Sequence, residues 1–186
     1  MGSMRRWIAV LALAVTACGS PAPTAQLSPS PSSPAPAAAV DVEGPFRLTF
    51  VLPRSTWMAS EAITGQAQLA LTAGDQVALS GSGGGLLGFG FAEVGGTRQM
   101  GPGWTADCRR YALAAAAPMT SAITKSGGWS EDQPDAAFYR GFFNDALVHL
   151  PAGQWDITAV ASFIEGPGCG GTSHEMRATV RVTVTP

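Results

Sequence analysis

The residues of this chain able to do covalent or metal chemistry are few: Cys18, Cys108 and Cys169, and the histidines His149 and His174. Two cysteines in the body of the chain and two distant histidines do not give the ligand spacing of a zinc centre. Ser173, His174 and Glu175 are consecutive, and neighbours in a strand point to opposite faces, so they cannot form a nucleophile–base–acid triad among themselves. Residues 83–88, GGGLLG, match the pattern Gly-x-Gly-x-x-Gly. A dinucleotide loop needs a strand before that pattern and a helix after it, and the FGFAEVGG that follows does not read as a helix. Glu131, Asp132 and Asp135 offer oxygen ligands within WSEDQPD. They lack the alternating register and closing glutamate of a calcium loop, and a solvated acidic turn is expected. No catalytic residue, cofactor or metal site is predicted.

Cys18 stands at a seam. Arg5 and Arg6 precede the apolar run WIAVLALAVTA of residues 7–17, and an uncharged tract rich in Pro, Ser and Ala follows over residues 19–40. A spanning helix needs roughly 20 apolar residues, so the run fits a secretory signal segment instead. Val15-Thr16-Ala17-Cys18 resembles the lipobox of bacterial lipoproteins. The resemblance implies cleavage before Cys18, a diacylglyceryl group on its sulfur, and attachment to the outer face of the cell membrane. Two acyl chains hold a protein stably where one does not. The alternative is an ordinary signal peptide whose late cysteine is incidental. Residues 18–40 cannot bury enough apolar area to offset chain entropy and are expected to be a disordered linker. Polyproline II geometry would give it a reach of roughly 60 Å.

Charge supports the same picture. The whole chain carries a formal −2, and removal of residues 1–17 with their two arginines leaves nine basic against thirteen acidic residues, or −4. The basic residues are scattered, which argues against a nucleic-acid partner. Lys125 is the only lysine against ten arginines, a usage associated with GC-rich bacterial genomes. An exported chain matures in an oxidising compartment. With Cys18 acylated, Cys108 and Cys169 are expected to pair, closing a loop of about 60 residues; a free thiol or a metal ligand are the alternatives.

The elements that must position these residues are strands. Phe46, Leu48, Phe50 and Leu52 alternate with Arg47, Thr49 and Val51 until Pro53 ends the run. Ile63, Ala67, Leu69 and Leu71 make a less even run. Trp155, Ile157, Ala159, Ala161 and Phe163 alternate with polar residues, as do Met176, Ala178, Val180, Val182 and Val184. Turn clusters between them favour antiparallel pairing. LVHLPAGQWDITAVASF resembles the penultimate hairpin of immunoglobulin-like domains, with a strand ending at Leu150, a Pro-x-Gly turn and Trp155 plugging the end of the sandwich. The resemblance implies an all-β, immunoglobulin-like antiparallel β-sandwich over residues 41–186. DCRRYALAAAAPM reads equally as helix or strand, and the aromatic PDAAFYRGFFNDALVHL is expected to be strand, with His149 at a strand end. The cysteines would pin two glycine-rich loops at one end, with Trp104, Trp129 and His174 as candidate ligand or partner contacts. The function expected is non-catalytic binding at the cell surface, of a surface protein or a small ligand. A protease-inhibitor-like module and a surface hydrolase are the alternatives.

Overall fold

A computed structural model of the chain describes residues 35–186. The signal segment, Cys18 and most of the expected linker lie outside the described residues. The strands are β1 (Ala37–Glu43), β2 (Phe46–Leu52), β3 (Thr56–Met58), β4 (Gln66–Leu71), β5 (Gln76–Gly81), β6 (Leu87–Glu93), β7 (Gln99–Met100), β8 (Arg109–Ala114), β9 (Met119–Ala122), β10 (Gly153–Glu165) and β11 (Thr172–Thr185), with helix α1 (Ala136–Asn144) between β9 and β10. They form an all-β sandwich. One sheet runs β1-β2-β4-β9. The other runs β3-β11-β10, and the second edge of β10 is shared by β5, which continues to β8, and β6, which continues to β7.

The alternating runs become the core. Phe46, Leu48, Phe50 and Leu52 of β2 are fully buried, and Trp155, Ile157, Ala159, Ala161 and Phe163 of β10 face them with Met176, Ala178, Val180, Val182 and Val184 of β11. β10 and β11 stay in register from Gly153↔Val184 to Glu165↔Thr172. Trp155 is buried, and its indole N–H donates to the Pro151 carbonyl at 3.0 Å, so its polar edge is satisfied.

Four expectations are corrected. The ordered domain begins before residue 41: β1 starts at Ala37, inside the expected 18–40 linker, because Ala37, Ala38 and Ala39 pair with Leu52, Val51 and Phe50 of β2. The sandwich is not wholly antiparallel, since β3 runs parallel to β11. Both edges of β2 are taken, by β1 and β4, and at Pro53-Arg54-Ser55 the chain crosses to the other sheet. Residues 148–150 are not a strand, although Val148 and Leu150 are buried and the Val148 carbonyl accepts the Ile63 N–H at 2.8 Å.

The fourth correction is α1, where a strand was expected. Its aromatics recur at i, i+4 (Phe138 and Phe142, Tyr139 and Phe143), which is a helical and not a strand spacing, and Phe138 and Phe142 meet at 5.9 Å. Phe142 packs edge-on to Phe91 at 5.4 Å and Phe138 stacks against Trp155 at 6.1 Å, so the helix closes one side of the core. Its C-terminus is held by Lys125, whose ammonium donates to the carbonyls of Phe142, Asp145 and Leu147, the last at 2.6 Å, and lies 4.7 Å from the Phe142 ring. Three donors meet three carbonyls, and a cation sits at the negative end of the helix. Burial pushes the Lys125 amine below its ordinary range, with Asp145 opposing that shift. The other ambiguous stretch, DCRRYALAAAAPM, is strand β8 and a tight turn into β9.

Lys125→Met should cost about 1–3 kcal/mol by leaving the carbonyls at the end of α1 without their donor, whereas Arg47→Met on the outer face of β2 should stay within about 0.5 kcal/mol. Urea unfolding compares the two, and equal midpoints would count against the clamp.

Candidate functional site

Cys108 precedes β8 and Cys169 lies in the loop between β10 and β11. They form a disulfide with Cα atoms 6.0 Å apart, and both residues are exposed. Around them the loops are tied by polar contacts. Ser80 Oγ donates to the Gly168 carbonyl at 2.7 Å, and the Gly166 N–H donates to Ala78 O at 3.0 Å, so the Cys169 loop leans on β5. Ser82 is buried and acts as a hub. Its hydroxyl pairs with Thr105 Oγ1 at 2.9 Å and accepts the Thr105 N–H at 3.0 Å, while its carbonyl accepts Tyr111 OH at 2.5 Å. The Gly83 N–H donates to Thr105 Oγ1 at 3.0 Å and to Asp107 Oδ1 at 2.9 Å. The Thr105 hydroxyl also donates to Asp107, and this bond first, then the Gly83 N–H, holds the Asp107 carboxyl below its usual range. The glycine-rich 83–88 segment thus opens as a turn bound to residues 105–107 and runs directly into strand β6 at Leu87, not into a helix.

Trp104 belongs to the segment that crosses the outer face of the larger sheet. A Cβ on Gly88 would stand 2.9 Å from its Cη2 and 2.6 Å from Pro102 Cβ, so the indole and the proline rest directly on glycine. Val160, on the outward side of β10 and paired with Gly88, is only 2% exposed. Trp104 itself stays 37% exposed and borders a cleft of about 350 Å³, together with Asp107, the Cys108–Cys169 bridge, Ser162 and Ile164. Trp129 is half-buried against the core with the Arg140 guanidinium 5.6 Å from its ring, and it does not line this cleft.

His174 is corrected as a contact residue. It faces into the sandwich and is 8% exposed, while Ser173 and Glu175 face outward. Its ring stacks on Phe163 at 5.0 Å and meets Phe46 edge-on. Nδ1 lies 2.8 Å from Glu43 Oε1 and Nε2 lies 3.2 Å from Glu165 Oε2. The carboxylates occupy opposite ring nitrogens and cannot converge on one ion; among the described residues no group of three His, Cys, Asp or Glu side chains is placed to hold a metal. The other histidine, His149, pairs through Nδ1 with Asp145 at 2.5 Å, beside α1. In the acidic turn, Glu131 reaches Arg140 at 2.5 Å, while Asp135 accepts from Thr97 and approaches Arg98, so these carboxylates also diverge.

Glu43 belongs to an inversion that alternation alone misses. In β1 the valines Val40 and Val42 are exposed, and Asp41 and Glu43 turn toward the opposite sheet. Asp41 accepts the Arg177 N–H of β11 at 2.8 Å, filling a backbone donor on an edge that β3 covers only at Thr183–Thr185. Inward acids on an edge strand also discourage pairing with other chains. This strand sets the geometry of the whole site. Glu43 lies at the disulfide end, whereas Ala37 pairs with Leu52 at the far end, about 20 Å away along a strand. The chain therefore joins the sandwich at the end opposite the disulfide.

Alkylation of the unfolded, unreduced chain should leave Cys108 and Cys169 unlabelled, and reduction should expose both and lower stability by up to about 4 kcal/mol; labelling before reduction would remove the bridge. Asp107, held low in the folded state, should stabilise the fold above its ordinary value of about pH 3.9 and lose that contribution as pH falls through its lower folded value. The fall in melting temperature between pH 5 and pH 2.5 should accordingly be smaller in Asp107→Asn than in the native chain, and an equal fall would deny the contribution. The chain matches no family model and no curated protein.

Proposed function

We propose that the chain is an extracytoplasmic lipoprotein, anchored through acylated Cys18, whose sandwich is a non-catalytic binding module presenting the disulfide-pinned end. The observation that carries this reading is the placement of the two ends. The residues before Ala37 join the domain at one end, and Trp104 with its cleft lies toward the other. A domain held by lipid through its N-terminal side would keep the membrane at its back and carry the exposed indole outward. Its net negative charge adds a weak repulsion from an anionic leaflet, so contact with the membrane is left to the acyl chains.

The polar residues of the cleft support binding over chemistry. The Ser82, Thr105 and Asp107 groups are engaged with one another and with backbone N–H groups, which fixes loop shape. His174 is held between carboxylates beneath the surface.

In a bacterial host, the natural protein should carry two acyl chains on an N-terminal Cys18 by intact mass. Cys18→Ser should move it from the membrane fraction to the soluble fraction without changing its unfolding midpoint. An unacylated mass, or a variant that stays on the membrane through a carbonate wash, would overturn the anchor.

A further inference from the structure

The outer face of the larger sheet carries a second hollow beside the disulfide cleft, the two lying on either side of Pro102 and Trp104. Along β10 the outward positions are Asp156, Thr158, Val160, Ser162 and Ile164. A hollow of about 320 Å³ lies over Thr158 and Val160, walled by residues 99–102 and by Arg177. The cleft of about 350 Å³ follows over Ser162 and Ile164. Pro102 and Trp104 stand at the boundary. Thr158 to Ile164 is six residues, about 20 Å of strand. Between the hollows β6 reads Leu87-Gly88-Phe89-Gly90-Phe91, with both phenylalanines in the core and both glycines on the outer side, where residues 100–102 and Trp104 pack onto them.

The chemistry of this face is polar and internally neutralised. Arg181 grips Asp156 with two hydrogen bonds of 2.8 and 2.9 Å, which lowers the Asp156 carboxyl and raises the guanidinium. Arg177 is turned onto Glu175 at 2.6 Å. Thr158 and Thr179 share a hydrogen bond at 2.8 Å, and Asp107 is saturated on one oxygen by Gly83 and Thr105. A charged ligand would have to break these pairs, and an apolar one would strand the hydroxyls. A peptide adding as a strand needs a free sheet edge, whereas β10 is paired on both sides. A ligand that uses hydroxyls, paired carboxylates and one exposed indole, over a length of about 20 Å, is a neutral oligosaccharide lying across Trp104.

We infer that the two hollows between Thr158 and Ser173, with Trp104 as the platform between them, bind a neutral oligosaccharide chain. This rests on the reading of the domain as a binding module. Calorimetric titration of the full-length chain with chitohexaose, cellohexaose and maltohexaose tests it. At least one should bind with an affinity that changes less than about twofold between low and high salt, as a neutral ligand requires. Trp104→Ala, and Gly88→Val, which pushes the indole off its seat while leaving the tryptophan in the sequence, should each weaken binding at least about tenfold, and Trp129→Ala should leave it unchanged. Failure of all three sugars to bind, a steep salt dependence, or full binding by both groove variants overturns the proposal. If no sugar binds but an envelope protein is captured by the native chain and lost in Trp104→Ala, the saccharide is wrong and the binding module stands. If neither is bound, both fall.

Discussion

The antiparallel pairing of β10 with β11, in register from Gly153↔Val184 to Glu165↔Thr172, is the constraint from which the other contacts follow. It fixes which side chains enter the core, since a slip of one residue would turn every one of them outward. One edge of this ribbon receives β6 and then β5, and the other receives β3 and the carboxylate of Asp41. The hairpin end of the ribbon carries Cys169, and its outer face carries the two hollows beside Trp104. Trp155 and Phe163, near opposite ends of the same strand, anchor α1 on one side and His174 on the other.

The strands with large alternating side chains were legible because burial on one face is written directly into their period. β2, β10 and β11 are of this kind. β1 was not, because three alanines carry little hydrophobic signal and Val40-Asp41-Val42-Glu43 alternates in the opposite sense to its burial. There a backbone N–H and an imidazole outweigh two valines. α1 was misread because aromatic residues favour strands in general, while their spacing here was that of a helix. The parallel β3 was hidden for another reason: direction depends on where the chain crosses between sheets, and three residues of sequence do not show this.

The candidate site was legible in one part. Pairing of Cys108 with Cys169 followed from counting cysteines in a chain read as exported. The Ser82–Thr105–Asp107 network joins residues separated by more than twenty positions through ordinary loop side chains, and nothing in their local pattern marks them. His174 looked like a loop residue because it follows a glycine-rich turn, but it already belongs to β11 and takes the inward side of that strand. Trp104 stands out from Trp129 only once glycines on β6 are seen to make a seat for it.

The position of Ala37 has a mechanical consequence. If the chain is tethered through the residues before it and a ligand is held beside Trp104, tension between the two runs along the strand axes. The ladder joining β1 to β2, from Ala37↔Leu52 to Glu43↔Phe46, is then loaded in shear. Its hydrogen bonds must yield together and cannot peel away one by one. Asp41 and Glu43 rivet the same strand to the opposite sheet and would share that load.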